Sequence, residues 1–394
     1  MNQKKKIAVV FGTRPDTIKM APIILELQKY PEQFDVITIA TAQHRQMLDQ
    51  VLDVFEIKSS YDLDIMAPKQ TLSSLTAKII TGLDEIFTKE KPDMVLVQGD
   101  TTTTCIGSLA AFYHQIPVGH VEAGLRTNDK SNPFPEEINR RITGVITDLH
   151  FAPTATAKKA LLKENVDLST IFVTGNTVVD ALEHTVRENY QFKLPALDNI
   201  VNKRKKIVLV TMHRRENWGL PMEGASKAIR RLALKYPELE FLFPVHMNPI
   251  VRDVVYPVLQ DLFNVHLIEP LDYLDFVNIM AKSYLIFTDS GGVQEEGPHF
   301  GIPILVLRSV TERPDAVDFG TVKLVGLDED NIFDTAVQLI DHKEEYEKMA
   351  NAVNPYGDGL SAIRTIKIIK NYFDMSNEVV DEFVPHQSVT TPIQ

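Results

Sequence analysis

The sequence predicts an α/β protein built from two doubly wound parallel sheets. Short apolar runs alternate with amphipathic segments through most of the chain, and the connections between them are short, as in parallel sheets flanked by helices. The alternation breaks after about residue 190 and restarts at Lys206. With 394 residues the chain is too long for one ordinary core. These observations together favour two domains.

The breaks in the pattern predict the domain boundaries. Residues 1–190 form the first doubly wound domain, residues 191–205 the linker, and residues 206–355 the second doubly wound domain. The linker loses periodicity and carries Pro195 and a basic cluster. Residues 356–375 are predicted to form a helix that packs back on the first domain, and residues 376–394 a mobile tail.

Composition excludes several classes of function. A hydrophobic fraction of 44% and a charged fraction of 24% are typical of a soluble globular protein. The net charge of −12 argues against a nucleic-acid partner. No apolar run reaches the roughly 20 residues that span a bilayer, so no membrane partner is expected. The single Cys105 excludes an internal disulfide and fits the cytoplasm.

The first strand, Lys5–Gly12, is followed by Thr-Arg-Pro-Asp and a helix predicted over Thr17–Tyr30. Arg14 and Lys19 at this strand-to-helix junction suit an anion. A surface arginine near a turn is an equally good interpretation of Arg14 alone. The junction lacks the GxGxxG pattern, so it carries no dinucleotide fingerprint.

Further strands and helices of the first half follow from the same periodicity. The predicted strands are Phe34–Thr41, Met94–Gln98, Ile116–Val121, Leu149–Pro153 and Ile171–Asn176. The predicted helices are a segment from about Ala42 to Phe55, Gln70–Thr88, Thr101–Tyr113, Glu136–Thr147, Thr154–Glu164 and Val178–Tyr190.

Carboxylates follow two of these strands directly. Asp100 ends the strand that begins at Met94, and Glu122 ends the strand at Val121. Glu136 and Glu137 lie in the first turn of the next helix, where a carboxylate can also serve only as a helix cap. Ligands of open α/β sheets bind at the carboxyl ends of the strands. We therefore expect carboxylates to converge there, with at least one raised pKa suited to acid–base chemistry.

The pattern restarts in the second half. The predicted strands begin with Lys206–His213, and strand-and-turn segments follow at Phe241–Pro249, Val265–Leu271, Leu285–Thr288 and Val322–Gly326. The predicted helices are Asp272–Ala281, Asn331–Ile340 and a helix that ends near Ile369. His213 and Glu216 have no third ligand at a supporting spacing, so a metal site is rejected.

The most informative stretch of the second half follows the strand at Leu285–Thr288. Ser290, Gly291 and Gly292 open a helix, and two glycines at a helix start expose backbone amides that can hold a phosphate. Arg308 and Arg313 follow in the next strand-to-loop region. A simple glycine turn is the alternative, but the arginines favour phosphate. Acidic residues such as Glu296 accept hydrogen bonds from ribose hydroxyls in nucleotide-binding folds.

Two doubly wound domains, a phosphate motif in the second and a closing helix resemble the GT-B architecture. That architecture consists of two Rossmann-like domains with the active site in the cleft between them. More specifically, eight motifs in order resemble the non-hydrolysing bacterial UDP-N-acetylglucosamine 2-epimerases, over nearly the whole chain to about Ile369. The motifs are FGTRPDTIKMAP, TAQHRQML, GDTTTT, HVEAGLRT, PFPEEINR, HRREN, PVHMNP and TDSGGVQEE.

The resemblance implies reversible conversion of UDP-N-acetylglucosamine (UDP-GlcNAc) to UDP-N-acetylmannosamine (UDP-ManNAc). It implies that UDP is eliminated to give bound 2-acetamidoglucal and then adds back, with a proton delivered to the other face of C2. It also implies that the product supplies N-acetylmannosamine (ManNAc) units for cell-envelope polysaccharide, that no cofactor or metal takes part, and that the enzyme is a homodimer.

The resemblance also implies roles for particular residues. The catalytic positions are Asp100, Glu122, Glu136 and His213. The positions that contact the UDP-sugar are Arg14, Lys19, Asp100, Glu122, His213, Phe276, Ser290, Gly291, Gly292, Glu296 and Arg313. A second, activating UDP-GlcNAc is implied at Gln43, His44, Gln46, Lys69, Glu136, Arg214 and His246.

Other functions remain open for this architecture. One is a hydrolysing 2-epimerase that releases ManNAc and UDP, and another is a glycosyltransferase. A third, from a different class, is a catalytically silent nucleotide-sugar sensor. Asp100, Glu122, Glu136 and His213 together argue against the sensor. Base and acid are not assigned among the three carboxylates.

Overall fold

The computed structural model describes residues 4–41, 45–67 and 70–385, and for residues 45–47 the backbone only. The described chain forms two compact units. Unit 1 comprises Met1–His184 and Tyr356–Val384, and unit 2 comprises Thr185–Pro355. Unit 1 is therefore discontinuous in sequence.

Unit 1 is an α/β unit with a parallel sheet. Its strands are β1 (Lys5–Phe11), β2 (Phe34–Ala40), β3 (Tyr61–Asp62), β4 (Met94–Gln98), β5 (Val118–Val121), β6 (Leu149–Ala152) and β7 (Ile171–Val173). Its first seven helices are α1 (Arg14–Gln28), α2 (Arg45–Val54), α3 (Leu72–Glu90), α4 (Thr102–Tyr113), α5 (Glu136–Ile146), α6 (Ala155–Lys163) and α7 (Thr177–Thr185).

Unit 2 repeats this design with a second parallel sheet. Its helices are α8 (Pro195–Asn202), α9 (Leu220–Lys235), α10 (Pro249–Leu259), α11 (Tyr273–Ala281), α12 (Gly291–Glu296), α13 (Pro314–Asp318), α14 (Glu329–Asp341) and α15 (Lys343–Ala350). Its strands are β8 (Ile207–Thr211), β9 (Glu240–Pro244), β10 (Val265–Ile268), β11 (Ser283–Thr288), β12 (Ile304–Val306) and β13 (Val322–Leu324). The chain then returns to unit 1 with α16 (Ser361–Tyr372).

The strand order makes both sheets doubly wound. Within the described residues, the sheet of unit 1 runs β3-β2-β1-β4-β5-β6-β7, and that of unit 2 runs β10-β9-β8-β11-β12-β13. The order reverses between β1 and β4 in unit 1 and between β8 and β11 in unit 2. Crevices at the carboxyl ends of strands on either side of such a reversal are where open sheets bind ligands. The predicted α/β class with two parallel sheets is thus confirmed.

The central strand of each sheet is buried on both of its faces. All five residues of β4 and all five of β8 are buried, which explains their continuous apolar sequences. Helices α9, α10 and α14 contribute side chains to the core of unit 2. These cores fix the strand ends, and so fix the residues that directly follow them.

Helix α1 begins three residues before the predicted start at Thr17. Thr13 and Asp16 form a capping box at its N-terminus, and Pro15 lies in the first turn, where proline is tolerated. This local hydrogen bonding extends the helix through Arg14. The apolar periodicity, on which the prediction rested, begins only at Ile18.

Two segments near the predicted boundaries have definite structure. Helix α8 lies inside the stretch predicted as a linker, and Leu197 and Ile200 are its buried residues. In the stretch predicted as a tail, Phe383 is buried and its backbone N–H donates to Val173 O over 2.8 Å. A single buried aromatic residue leaves no periodic signal in the sequence.

Helix α16 packs against α1 within unit 1. The buried Asp180 of α7 accepts hydrogen bonds from the backbone N–H groups of Ser361 and Ala362, over 3.3 Å and 2.8 Å. It thereby satisfies amides that have no partner inside the helix. Lys370 adds a cation–π contact, with its Nζ atom 3.1 Å from the centre of the Tyr30 ring.

The helices of the described residues differ from membrane-spanning helices. None of those in residues 4–41, 45–67 and 70–385 combines the length and the apolar character that crossing a bilayer requires.

Candidate active site

The carboxylates Asp100 and Glu122 lie side by side at the carboxyl edge of the unit 1 sheet. Strands β4 and β5 are neighbours, with Gln98 opposite Val121, and the Gly99 N–H donates to Val121 O over 2.9 Å. A Cβ atom placed on Gly99 would lie 3.8 Å from Glu122 Oε1. The glutamate carboxylate therefore lies beside the turn that presents Asp100.

Glu122 is a buried carboxylate with defined partners. It is 8% exposed, Lys19 Nζ donates to its Oε2 atom, and Asn176 Nδ2 donates to the same oxygen over 3.3 Å. Its backbone φ of 65° lies in the left-handed region, which is costly for a residue with a side chain. A buried carboxylate that is paired with a lysine and has a strained backbone is typical of functional sites.

Asp100 is held by the helix that carries Glu136. Arg140 of α5 donates to Asp100 Oδ2, and Asn139 Nδ2 donates to the Asp100 carbonyl oxygen over 2.9 Å. Behind the turn, His120 Nε2 lies 2.7 Å from the carbonyl oxygen of Gly99. Burial lowers the pKa of His120 to about 3, so the ring is neutral and Nε2–H donates to that carbonyl.

Glu136 and Glu137 differ although they are adjacent. Burial raises the pKa of Glu136, and the negative charge of Asp100 raises it further against the opposing effect of Arg140. Glu137 is fully buried and accepts from the backbone N–H groups of Thr127 and Asn128, over 3.0 Å and 3.1 Å. The expectation of a raised carboxyl pKa is confirmed at Glu136, and Glu137 holds the preceding loop.

The start of α1 brings a further acid to this edge. Asp16 is buried, and it accepts from Thr13 Oγ1 over 2.7 Å and from Thr101 Oγ1 over 3.2 Å. Burial raises the pKa of Asp16 to about 6, and the charge of Asp100 contributes to the rise. Arg14, the first residue of α1, is partly exposed at the same junction. The junction after β1 therefore faces the same group of carboxylates.

In unit 2, His213 follows β8 and Asp289 follows β11, the two strands at the reversal of strand order. His213 Nδ1 lies 3.2 Å from Asp289 Oδ1, and the imidazole stacks on His246 with ring centroids 6.2 Å apart. Arg214 Nε donates to the Asp289 carbonyl oxygen over 3.0 Å. His213, which the resemblance assigns to catalysis, thus lies beside Arg214 and His246, which it assigns to the activating ligand.

The Ser290–Gly292 turn is closely associated with Arg313. A Cβ atom on Gly291 would lie 2.8 Å from the central guanidinium carbon of Arg313, so only glycine allows this approach. The buried Glu295 accepts from Nε and Nη2 of Arg313, each over 2.8 Å. Both nitrogens bond the same oxygen, Oε1, and the pair holds the guanidinium group beside the backbone of the turn.

One half-buried carboxylate links three arginines of unit 2. Glu312 lies 3.2 Å from Arg214 Nη2, 2.8 Å from Arg308 Nη1 and 2.6 Å from Arg313 Nη1. Burial raises the pKa of Glu312, but the charges of the three arginines outweigh that effect and lower the pKa to about 2. Glu216 lies 3.7 Å from Arg214 and 3.5 Å from Arg308, and Glu295 pairs with Arg313, so the arginines are charge-balanced and held as oriented donors.

The remaining predicted residues are only partly described. Phe276 is half-buried on α11, and Glu296 is 9% exposed at the end of α12. Gln46 lies in α2 with its side chain undescribed. The predictions for Gln43, His44 and Lys69 fall outside the described residues.

Sequence reasoning missed several residues that hold the site. Arg140, Asn176, Asp289, Glu295 and Glu312 have no role in the sequence prediction, yet each contacts a predicted site residue. A signal existed for Asp289, because it follows an apolar strand just as Asp100 does. The other four lie within helices or loops, and only Glu312 has predicted site partners close to it in the sequence.

Comparison with known proteins agrees with the geometry. A family model described as UDP-N-acetylglucosamine 2-epimerase matches residues 26–370. The UDP-N-acetylglucosamine 2-epimerase of Bacillus subtilis (strain 168) is 55% identical over 381 residues, covering 97% of this chain and 99% of that protein.

Solved structures give the same result. The UDP-GlcNAc 2-epimerase of Neisseria meningitidis bound to UDP-GlcNAc is 49% identical with a TM-score of 0.84, covering 93% of this chain and 100% of that one. The S. aureus MnaA–UDP co-structure is 49% identical with a TM-score of 0.88, covering 96% of this chain and 100% of that one.

Proposed function

We propose that this chain, which belongs to the UDP-N-acetylglucosamine 2-epimerase family, interconverts UDP-GlcNAc and UDP-ManNAc. The observation that carries the proposal is the group of carboxylates at one sheet edge of unit 1. Asp100 and Glu122 lie there with paired cations, and the pKa of Glu136 nearby is raised. Inversion at a carbon centre needs proton carriers on both of its faces, and such a group can supply them.

The proposed reaction is an elimination followed by an addition. The C2 proton passes to a protein base while the C1–O bond to the diphosphate breaks, and that bonding pair leaves with UDP. The C2–H electron pair becomes the C1–C2 double bond of 2-acetamidoglucal. In the second step a diphosphate oxygen bonds to C1 again and C2 receives a proton on its other face. Substrate and product have the same oxidation state, so no redox cofactor is needed.

The environments of the carboxylates suggest different tasks. Glu136 has a raised pKa, which suits it to holding a proton near neutral pH. Glu122 is paired with Lys19 and Asp100 with Arg140. Ionised carboxylates stabilise the positive charge that develops at C1 as UDP departs.

The diphosphate is assigned to the cationic groups. In unit 2 these are His213, the Ser290–Gly292 turn and Arg313, whose guanidinium lies against Gly291. Glu296 is assigned to the ribose hydroxyls and Phe276 to packing on the UDP-sugar. In unit 1, Arg14 and Lys19 supply further positive charge.

A second UDP-GlcNAc is proposed as an activator. Arg214 and His246, which the resemblance assigns to it, lie beside His213 in unit 2. The remaining residues proposed for this site are Gln43, His44, Gln46, Lys69 and Glu136.

A homodimer is proposed as the working state. Exposed apolar side chains cluster on helices α4 and α5 of unit 1, which pack together. Phe112 and Tyr113 are 59% and 65% exposed, and Ile142 and Val145 are 43% and 88% exposed. An apolar surface of this kind suits a second copy of the same chain.

We propose that the enzyme works in the cytoplasm, where nucleotide sugars are made.

Proton NMR of the purified protein with UDP-GlcNAc in D2O tests the activity. We expect UDP-ManNAc to appear with deuterium at C2, because the C2 proton exchanges with solvent during the reaction. Free ManNAc and UDP would instead indicate a hydrolysing enzyme, and an unchanged spectrum a sensor. UDP-ManNAc that retains hydrogen at C2 would contradict proton abstraction from that carbon.

A further inference from the structure

Asp289 has an unusual number of donors around one buried carboxylate. Its side chain is completely buried, and it accepts from the backbone N–H groups of His213 and Arg214, the latter over 2.9 Å. Asn217 Nδ2 donates to the same carboxylate over 3.0 Å. His213 Nδ1 lies 3.2 Å from Oδ1. Three donor groups and one imidazole nitrogen therefore surround one acceptor side chain.

This arrangement requires an acceptor-only side chain. An ionised carboxylate offers about four lone-pair positions and no donor, which matches the four groups around Asp289. An amide in its place would turn an NH2 group toward at least one of these donors. The strand order explains why the two residues meet. Strands β8 and β11 are neighbours, and His213 and Asp289 follow their carboxyl ends.

The imidazole of His213 is held from two sides. Asp289 lies at Nδ1, and the ring of His246 stacks on its face at an interplanar angle of 24°. The His213 side chain is 44% exposed while the aspartate is fully buried. The buried side chain of Asp289 therefore anchors a ring that is partly exposed at the surface of unit 2.

We propose that Asp289 is the positioning residue of His213, keeping the proton on Nδ1 so that Nε2 is the nitrogen presented to the substrate. The carboxylate at Nδ1 selects this tautomer, since the nitrogen next to an acceptor must carry the hydrogen. Protonated His213 then donates from Nε2 to the diphosphate oxygen as the C1–O bond breaks. This role rests on the function proposed above, because it assigns His213 to the departing UDP.

The tautomer of His213 is measurable without any substrate. We expect nitrogen-15 NMR of the histidine-labelled wild-type protein at about pH 9, where imidazole is neutral, to show His213 with hydrogen on Nδ1. The resonance is assigned by its loss in His213→Gln. A His213 ring that carries its hydrogen on Nε2 would overturn the proposal, whatever the activity of the protein.

Kinetics then separate positioning from a general effect on the fold. We expect Asp289→Asn to lower kcat for epimerisation by about 10- to 100-fold, with UDP binding by calorimetry changed far less. In a His213→Gln background the same substitution should change kcat by less than about threefold, because the residue through which it acts is gone. An equal loss in both backgrounds would overturn the proposal.

Asn217→Ala is the matched control. It removes the hydrogen bonds from Asn217 to the same carboxylate and to the carbonyl oxygen of Leu307 while Asp289 stays in place, so we expect it to keep the Nδ1–H tautomer of His213. A change of tautomer in this control would mean that the loop, and not Asp289, orients the ring. If Asp289→Asn fails to fold, the tautomer of His213 in the wild-type protein decides whether the proposal stands. A wild-type protein inactive on UDP-GlcNAc but with the Nδ1–H tautomer would contradict the proposed function only.

Discussion

Glu136 and Glu137 share one helical turn but lie in opposite environments. Glu136 is half-buried, and burial together with Asp100 raises its pKa. Glu137 is fully buried and binds two backbone amides of the preceding loop, and Arg141 Nε donates to it over 3.2 Å. The first arrangement suits proton transfer, and the second holds a loop in place.

The two glutamates should therefore respond differently to the same substitution. We expect Glu136→Gln to lower turnover by about 100-fold or more, because the proton carrier is lost, with an unchanged melting temperature. Glu137→Gln should destabilise the fold by about 3 kcal/mol, since it breaks buried charged contacts. Turnover assays and thermal melts of both variants check this. Near-normal turnover with a lower melting temperature in Glu136→Gln would make Glu136 a helix cap only.

Asn176 offers a second prediction at this scale. Its Oδ1 accepts from the N–H of Val178 over 3.0 Å, and its Nδ2 donates to Glu122. Aspartate at this position keeps the cap but turns a negative charge toward Glu122. We expect Asn176→Asp to lower turnover by about tenfold or more while the melting temperature stays close to that of the wild type. If the residue only caps α7, turnover of this variant will be normal.

At the scale of elements, Asp16 ties the N-terminus of α1 to that of α4, because Thr101 is the N-cap of α4 and donates to it. The pKa of Asp16 is raised from 3.8 to about 6 by burial, with Asp100 contributing. The folded protein therefore binds this proton more tightly than the unfolded chain does. The resulting stabilisation is complete below about pH 3.8 and is lost as the pH rises through 6.

The Asp16→Asn substitution removes this titration. We expect the stability of Asp16→Asn relative to the wild type to increase as the pH is raised from about 4 to about 7, measured by denaturant unfolding at each pH. Asp180, whose pKa burial also raises to about 6, is present in both proteins and cancels in the difference. A difference that is constant across this range would show that Asp16 does not titrate as the structure indicates.

The exposed apolar face of α5 belongs to the same scale. We expect Val145→Glu to convert the proposed homodimer to monomers, because dimerisation would bury a charge, measured by light scattering coupled to size exclusion. Val379 is equally exposed, at 88%, but lies on the segment after α16. Val379→Glu is therefore the matched control and should leave the mass unchanged. A wild-type protein that is monomeric at the same concentration would contradict the dimer.

For the whole molecule, a second UDP-GlcNAc that activates makes the rate depend on more than one bound ligand. We expect a sigmoidal dependence of rate on UDP-GlcNAc, and a slow reverse reaction from UDP-ManNAc until traces of UDP-GlcNAc are added. His246→Ala should weaken this activation more than it weakens UDP binding. Hyperbolic kinetics, with full reverse activity in the absence of UDP-GlcNAc, would show that the second ligand does not activate.

The sequence predicted the buried central strands and their ends, but not the two-residue edge strand β3. Buried strands such as β4 have a plain apolar signature, and polar residues directly after them must lie at the ligand edge, which located Asp100 and Glu122. The partners of these residues were not predictable in the same way. Asn176 reaches Glu122 across 54 positions and Glu312 reaches Arg214 across 98, and pairing over such separations leaves no local pattern.

Discontinuity of unit 1 has a consequence for the order of folding during synthesis. Asp180 caps α16, and Val173 accepts from Phe383, so residues of the first half complete their hydrogen bonds with residues made last. The strands of unit 2 lie in the single stretch Thr185–Pro355, and the last of them is complete once Leu324 has left the ribosome. Unit 1 is therefore the first unit to be synthesised and is completed only after unit 2. Until α16 has been made, the surface of α1 on which it packs is uncovered. Chaperones that act on nascent chains have that interval in which to bind it.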